Sequence, residues 1–215
     1  MPLKDSDLAK KLQDAIPLKT DGEGKSLKVS DQMKNYAKGI IEALKIAVVS
    51  HPTGTVVGVT AVGAPLSAGA ANGGIVMVQP AMMVKYWGVG LDPRAVVNLQ
   101  KEANALASYL STGLVNFPVG SITGQCTSTP TSPGPLVAGA GSNGKISGLT
   151  GAAAMAYISS ALGFTGPDML PHYNALINYV LAEATVTYAT GSVVGVCPPI
   201  SGPLGAGTAA GGTIA

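Results

Sequence analysis

The chain has 215 residues, 47% of them hydrophobic, with 29 glycines, 15 prolines and a formal net charge of only +2. That length suffices for a buried core in one large domain or two to three small ones, and so small a charge gives no reason to expect nucleic acid or an anionic membrane as partner. Residues 1–45 hold nine lysines and seven acids, whereas residues 46–215 hold four charges of each sign. The second stretch is thus about 5% charged, against roughly 25% in an ordinary domain, and much of its surface is expected to face other protein.

In chain order, the N-terminal MPLKDSDLAKKLQDAIPLK lacks the apolar run of a signal peptide, so none is expected. Asp5, Asp7, Asp14, Asp21 and Glu23 alternate with lysines and read as a solvated segment, with a short helix over Leu8–Ile16. Ser30 or Asp31 can cap a longer helix whose apolar face is Met33, Tyr36, Ala37, Ile40, Ile41, Leu44, Ala47 and Val48. A β-branched segment, Thr55–Val57, follows, and then a Gly/Ala-rich arm over 64–76. Between Ile46 and Val84 there is no Lys, Arg, Asp or Glu, but Pro52, Gly54, Gly63, Pro65, Gly73 and Pro80 interrupt the run, so no spanning helix is expected.

A second round begins with a short helix over Ala81–Trp87 and a long one opened by Asp92-Pro93, its stripe being Ala103, Leu106, Ala107, Leu110 and Leu114. A strand at Ser121–Thr123, a Ser/Thr/Pro loop over 128–135 and a second arm over 134–147 come next. The third round has a helix over Ala152–Leu162 and a stripe of Tyr173, Ile177, Val180, Leu181 and Ala184 behind Asp168 or Pro171. It closes with a strand at Ser192–Val194 and an arm over 202–215.

These rounds are copies. The pattern PL-x-AG occurs at 65–69, 135–139 and 203–207, behind GTVVGVT (54–60), GSITGQC (120–126) and GSVVGVC (191–197). Ile40, Leu106 and Ile177 fall in one register, as do Leu44, Leu110 and Leu181, and Val49, Val115 and Val186. Asn72-Gly73, Asn143-Gly144 and Gly211-Gly212 are dipeptides that favour two-residue hairpin turns. The expected fold is α+β, three tandem units of short helix, long amphipathic helix, short strand and Gly/Ala-rich hairpin arm. The unit boundaries are 1–78 (with the charged N-terminal segment), 79–147 and 148–215.

Gly139, Gly141 and Gly144 spell the G-x-G-x-x-G of a phosphate loop, but the equivalent stretches GAANGG (69–74) and GTAAGG (207–212) do not. Lys145, the only nearby cation, has no equivalent either, and the dinucleotide reading fails. His51 stands where the other copies carry Phe117 and Tyr188, so that position is read as a packed ring. His172 has no counterpart. Cys126 and Cys197 lack metal-ligand spacing and are read as two buried thiols in a reducing cytoplasm. The Met77, Met82, Met83 and Tyr86-Trp87 cluster reads as core or interface. No catalytic residue, cofactor or metal site is expected. An enzyme with an inter-repeat pocket, the alternative, would rest on Arg94, Lys101, Asp168 and His172; a membrane-associated oligomer is the other alternative.

An amphipathic helix running into a Thr/Val-rich strand and a GPL-x-AG…GG-x-I tail resembles small virion structural proteins of tailed bacteriophages. The resemblance covers the three helix–arm blocks. It implies a non-enzymatic, multi-copy part of a capsid, neck, tail or baseplate, assembled in the host cytoplasm. Its partners would be itself and other structural proteins, with no specific nucleic acid and no membrane. Low charge and Gly/Ala arms that need neighbours point to the same class.

Overall fold

The computed structural model describes residues 3–15, 30–90, 93–163 and 169–215, without the side chains of 93–95. The chain divides into two compact units, each assembled from three separate stretches. One collects Met1–Ile46, Val78–Thr112 and Leu149–Ala184; the other collects Ala47–Met77, Gly113–Gly148 and Thr185–Ala215.

The first unit is helical. It contains α1 (Asp5–Ala15), α2 (Asp31–Lys45), α3 (Ala81–Trp87), α4 (Pro93–Leu110), α5 (Gly151–Leu162) and α6 (Leu170–Glu183). Each helix packs on the next in the chain, and α6 returns to α1, so the six form a ring. Ser30 caps α2 by accepting from the Met33 amide at 3.1 Å, and Thr150 caps α5 in the same way from Ala153. Both satisfy amides that a helix start otherwise leaves unpaired. The expected stripes point inward: Ala37, Ile40, Ile41 and Leu44 of α2, Ala103, Leu106, Ala107 and Leu110 of α4, and Tyr173, Ile177 and Val180 of α6 are buried. Leu181 is half-buried. The stripes stop earlier than periodicity suggests, because α2 and α4 end at Lys45 and Leu110; Val48 and Leu114 belong to strands and are exposed. The caps proposed at Asp92 and Asp168 lie outside the described residues.

The second unit is a closed antiparallel barrel. Its segments are β1 (Val48–His51), β2 (Val56–Thr60), β3 (Ser67–Met77), β4 (Leu114–Cys126), β5 (Gly134–Ser147), β6 (Val186–Cys197), β7 (Gly202–Pro203) and β8 (Gly205–Ile214). Segments β1 and β2 are one interrupted strand, and so are β7 and β8, giving six strands in all. Pairing runs β3–β4–β5–β6–β8, and the first strand then pairs with both β3 and the last, through Val49↔Gly212 and Val59↔Pro203. No edge is left open.

This arrangement corrects the expectation of three tandem units. The helices of all three copies gather in one body and the strands of all three in another. The physical reason lies in the strands. A lone two-stranded hairpin cannot bury its apolar face or satisfy its outer edges, whereas three hairpins joined in a circle do both.

The Gly/Ala arms are likewise not hairpins that fold back on themselves. Each is a long barrel strand, β3, β5 or β7–β8, paired on both sides within the same chain. The turn-like residues do take positive φ, at Gly73 (73°), Asn143 (61°) and Gly211 (70°), but they sit inside strands. The ladders jump register between Ala71 and Gly74 and between Gly141 and Gly144. They are bulges that bend and twist the strand, as closure of a narrow barrel requires.

The barrel interior is filled in layers, each formed by one repeat position from every copy. Val49, Val115 and Val186 form one layer, His51, Phe117 and Tyr188 the next, and Val56, Ile122 and Val193 a third. The rings fit because the facing strands offer no side chain. A Cβ on Gly74, Gly144 or Gly212 would fall on His51, Phe117 or Tyr188 respectively. The three seams between copies follow the same rule. A Cβ on Gly69, Gly139 or Gly207 would collide with the backbone carbonyl of Ile122, Val193 or Val56. Immediately before these glycines, Ala68, Ala138 and Ala206 hold φ of 49°, 51° and 47°. Left-handed alanine costs roughly 1–2 kcal/mol, so each seam is held against local strain.

Gly139→Ala is therefore expected to lower stability by at least about 2 kcal/mol, since the new methyl meets backbone that cannot move aside. Gly205→Ala, where the new methyl would sit at ordinary contact distance from the Val196 carbonyl, should stay within about 1 kcal/mol of the parent. Urea denaturation of the two variants makes the comparison.

Candidate functional site

The loop with phosphate-binding spelling is strand β5. Gly139 abuts Val193, Gly141 lies against Ile122, Phe117 and Tyr188, and Gly144 faces the Phe117 ring. The glycines make room for neighbouring backbone and aromatic rings, and no helix start is present to receive a phosphate. Lys145 is exposed and donates to Thr185 Oγ1 at 3.3 Å.

His51 is buried with both nitrogens engaged. Its Nε2 lies 3.0 Å from the Val115 carbonyl and its Nδ1 2.8 Å from the Tyr188 hydroxyl. A carbonyl only accepts, so Nε2 carries the proton and Nδ1 accepts from the phenol. Burial lowers the pKa of His51 and raises that of Tyr188. A neutral imidazole fixed at both ends, edge-on to Phe117 and Tyr188, holds the barrel core together and leaves no free lone pair for base chemistry.

The cysteines overturn their sequence reading. Cys126 and Cys197, at matching positions in the second and third copies, are joined in a disulfide with a Cα–Cα distance of 5.8 Å. Periodicity could not reveal this, because β4 and β6 come together only by flanking β5, where Cys126 lies opposite Leu136 and Cys197 opposite Gly134. The first copy has Thr60 there, whose hydroxyl donates to the Gly202 carbonyl at 3.0 Å. A crosslink spanning 71 residues removes denatured-state freedom equivalent to about 4 kcal/mol.

The helical unit holds a cluster that the sequence reading missed. Glu102 sits between two tyrosines, and its Oε1 accepts from Tyr36 at 3.0 Å and from Tyr173 at 3.4 Å. Tyr36 stacks on Trp87, whose indole donates to the Tyr36 carbonyl. Tyr36, Glu102 and Tyr173 each lie four residues before Ile40, Leu106 and Ile177, so they are one repeat position meeting at the centre of the helix ring. Extending the repeat register by one turn exposes the odd acid. Desolvation raises the Glu102 pKa, with the two phenol hydrogen bonds opposing it, and burial next to the carboxyl raises both tyrosines. A cavity of about 140 Å³ beside it is lined by Glu102, Tyr173 and Ser159 and otherwise by Met155, Ile158, Leu162 and Met169. No group of three or more His, Cys, Asp or Glu suited to a metal occurs among the described residues. The cluster can hold a proton or bind a small apolar molecule with one hydrogen-bonding end.

Of the four residues on which an enzymatic reading would rest, the Arg94 side chain and Asp168 lie outside the described residues. Lys101 is exposed, whereas His172 is buried edge-on to Tyr36 and Tyr173, with Nδ1 unpartnered.

The barrel exterior remains. Across all three of its segments the barrel unit has one charged side chain, Lys145. Its outward positions include Val57, Val59, Ile75, Met77, Leu114, Val194 and Val196, all more than 40% exposed. That is an apolar outer face on a fold whose interior is already full.

Two measurements follow. Cys126→Ser with Cys197→Ser should lose about 4 kcal/mol of unfolding free energy, and reduction of the parent should reproduce that loss. Burial holds the His172 pKa at about 4, so between there and its ordinary 6.5 the unfolded chain binds the extra proton. This contribution to stability is present above pH 6.5 and lost as pH falls toward 4. Relative to His172→Phe, the parent should lose about 3 kcal/mol over that range in denaturation curves. Glu102 acts in the opposite sense, which is why the difference between the two proteins is the quantity to follow.

No protein-family model, no curated protein and no solved structure matches this chain.

Proposed function

We propose that this chain is a non-enzymatic structural protein that works by assembly, as a multi-copy virion component of the tailed-phage kind. The observation that carries this reading is the nearly uncharged barrel with exposed valine, isoleucine, leucine and methionine. Exposed apolar surface rimmed by polar residues marks a site where another surface docks. The assembling surface is the barrel wall, of which the Gly/Ala arms are strands paired on both sides and not free extensions. The disulfide adds support, because such crosslinks persist in oxidising settings that include virion surfaces.

A lipid-facing barrel would need an apolar band around its whole circumference. Here β4 carries Asn116, Thr123 and Gln125 outward and β5 carries Lys145, which favours protein over lipid as the covering surface. No helix among the described residues is long and apolar enough to cross a membrane.

Sedimentation of a lysate of the producing cells tests the reading. The full chain is expected to travel with large particles in the absence of detergent. Recovery as a free monomer at the top of the gradient, or only with detergent, would count against it.

A further inference from the structure

The three copies provide an internal control for the barrel wall. The outward pair on β2 is Val57 and Val59, and on β6 it is Val194 and Val196, each 45–53% exposed. The equivalent pair on β4 is Thr123 and Gln125, and the Gln125 amide donates to the Gly63 carbonyl. The same barrel position thus accepts polar residues, and packing inside the barrel does not require the valines. Their exposure calls for another cause.

The two valine pairs lie on one face. Strand β7–β8 runs between them, with Val59 opposite Pro203 on one side and Val196 opposite Gly205 and Val194 opposite Thr208 on the other. The strip between the valine ridges is of low relief, carrying Pro203, Gly205 and Ala206, and Ile200 projects at its end with 70% exposure. We infer that this face, where the first and third copies meet, is the docking surface for a second copy of the chain.

Three features select that occupant. The face is uncharged, so it can meet itself without repulsion. Ridge, strip and ridge make it self-complementary, as a twofold contact requires. Four valines 45–53% exposed and Ile200 at 70% stand together on it, giving the apolar centre that an interface of about 800 Å² per partner needs. This inference rests on the assembly reading but concerns self-association alone.

The test is sedimentation velocity of the purified full chain across a dilution series. The parent is expected to be a dimer that dissociates on dilution. A variant with Val57→Thr, Val59→Gln, Val194→Thr and Val196→Gln should be monomeric throughout, with association weakened at least about 100-fold. These substitutions borrow what the second copy already carries, so the barrel should still form. The reverse variant, Thr123→Val with Gln125→Val, should keep the dimer and add larger species. A monomeric parent, or a fourfold variant that dimerises like the parent, would overturn the inference. A parent that is monomeric alone but travels with particles in the lysate, while the fourfold variant does not, would assign the face to a different protein; that outcome rejects the second copy and leaves the assembly reading standing.

Discussion

Three close approaches of backbone to backbone hold this barrel together, and each depends on a glycine. At Gly69, Gly139 and Gly207 a strand of one copy lies so near the first strand of the next that any side chain would collide with a carbonyl. The third approach joins the last copy to the first and closes the circle. The inward rings depend on the same economy of side chains, since His51, Phe117 and Tyr188 occupy the space that Gly74, Gly144 and Gly212 vacate. Glycine weakens a strand by itself. Here the loss is offset by rings from the same copy and by β-branched residues from the next, so each copy draws part of its stability from its neighbour.

The buried polar groups follow the threefold arrangement too. Where three equivalent residues converge, three identical side chains compete for one space, and both centres break the identity. In the barrel a histidine, a phenylalanine and a tyrosine share the space, with the histidine accepting from the tyrosine. In the helix ring a carboxyl between two phenols does so. Replacing such groups by apolar ones is often tolerated or even stabilising, so their contribution is to orientation more than to net stability. The Glu102 carboxyl, which burial makes reluctant to ionise, gives the helix ring one defined arrangement of its three central residues.

Much of this was legible in the sequence. The helices appear at their expected places because amphipathic spacing is local, and of the two caps the sequence offers for α2, Ser30 and Asp31, it is Ser30 that caps. Positive φ at Gly73, Asn143 and Gly211 was legible as well, but its use was not: the same backbone angle serves a hairpin or a bulge. Bulges also spoil the alternation by which strands are recognised, so β3, β5 and β8 read as arms although they pair on both sides. The disulfide and the Tyr36–Glu102–Tyr173 cluster depend on contacts between copies. Windows within one copy hold no trace of them; alignment of the copies does, as a matched pair of cysteines and an acid standing where the others have tyrosine.

The barrel depends on closure, the pairing of the last strand with the first. Amide hydrogen exchange on the intact chain tests it at β8, where Ala209 and Gly212 lie opposite His51 and Val49. Closure predicts that β8 amides exchange as slowly as those of β5, in a single cooperative opening. Rapid exchange throughout 205–214, with the helices and β5 still protected, would show a free arm and contradict the closed barrel.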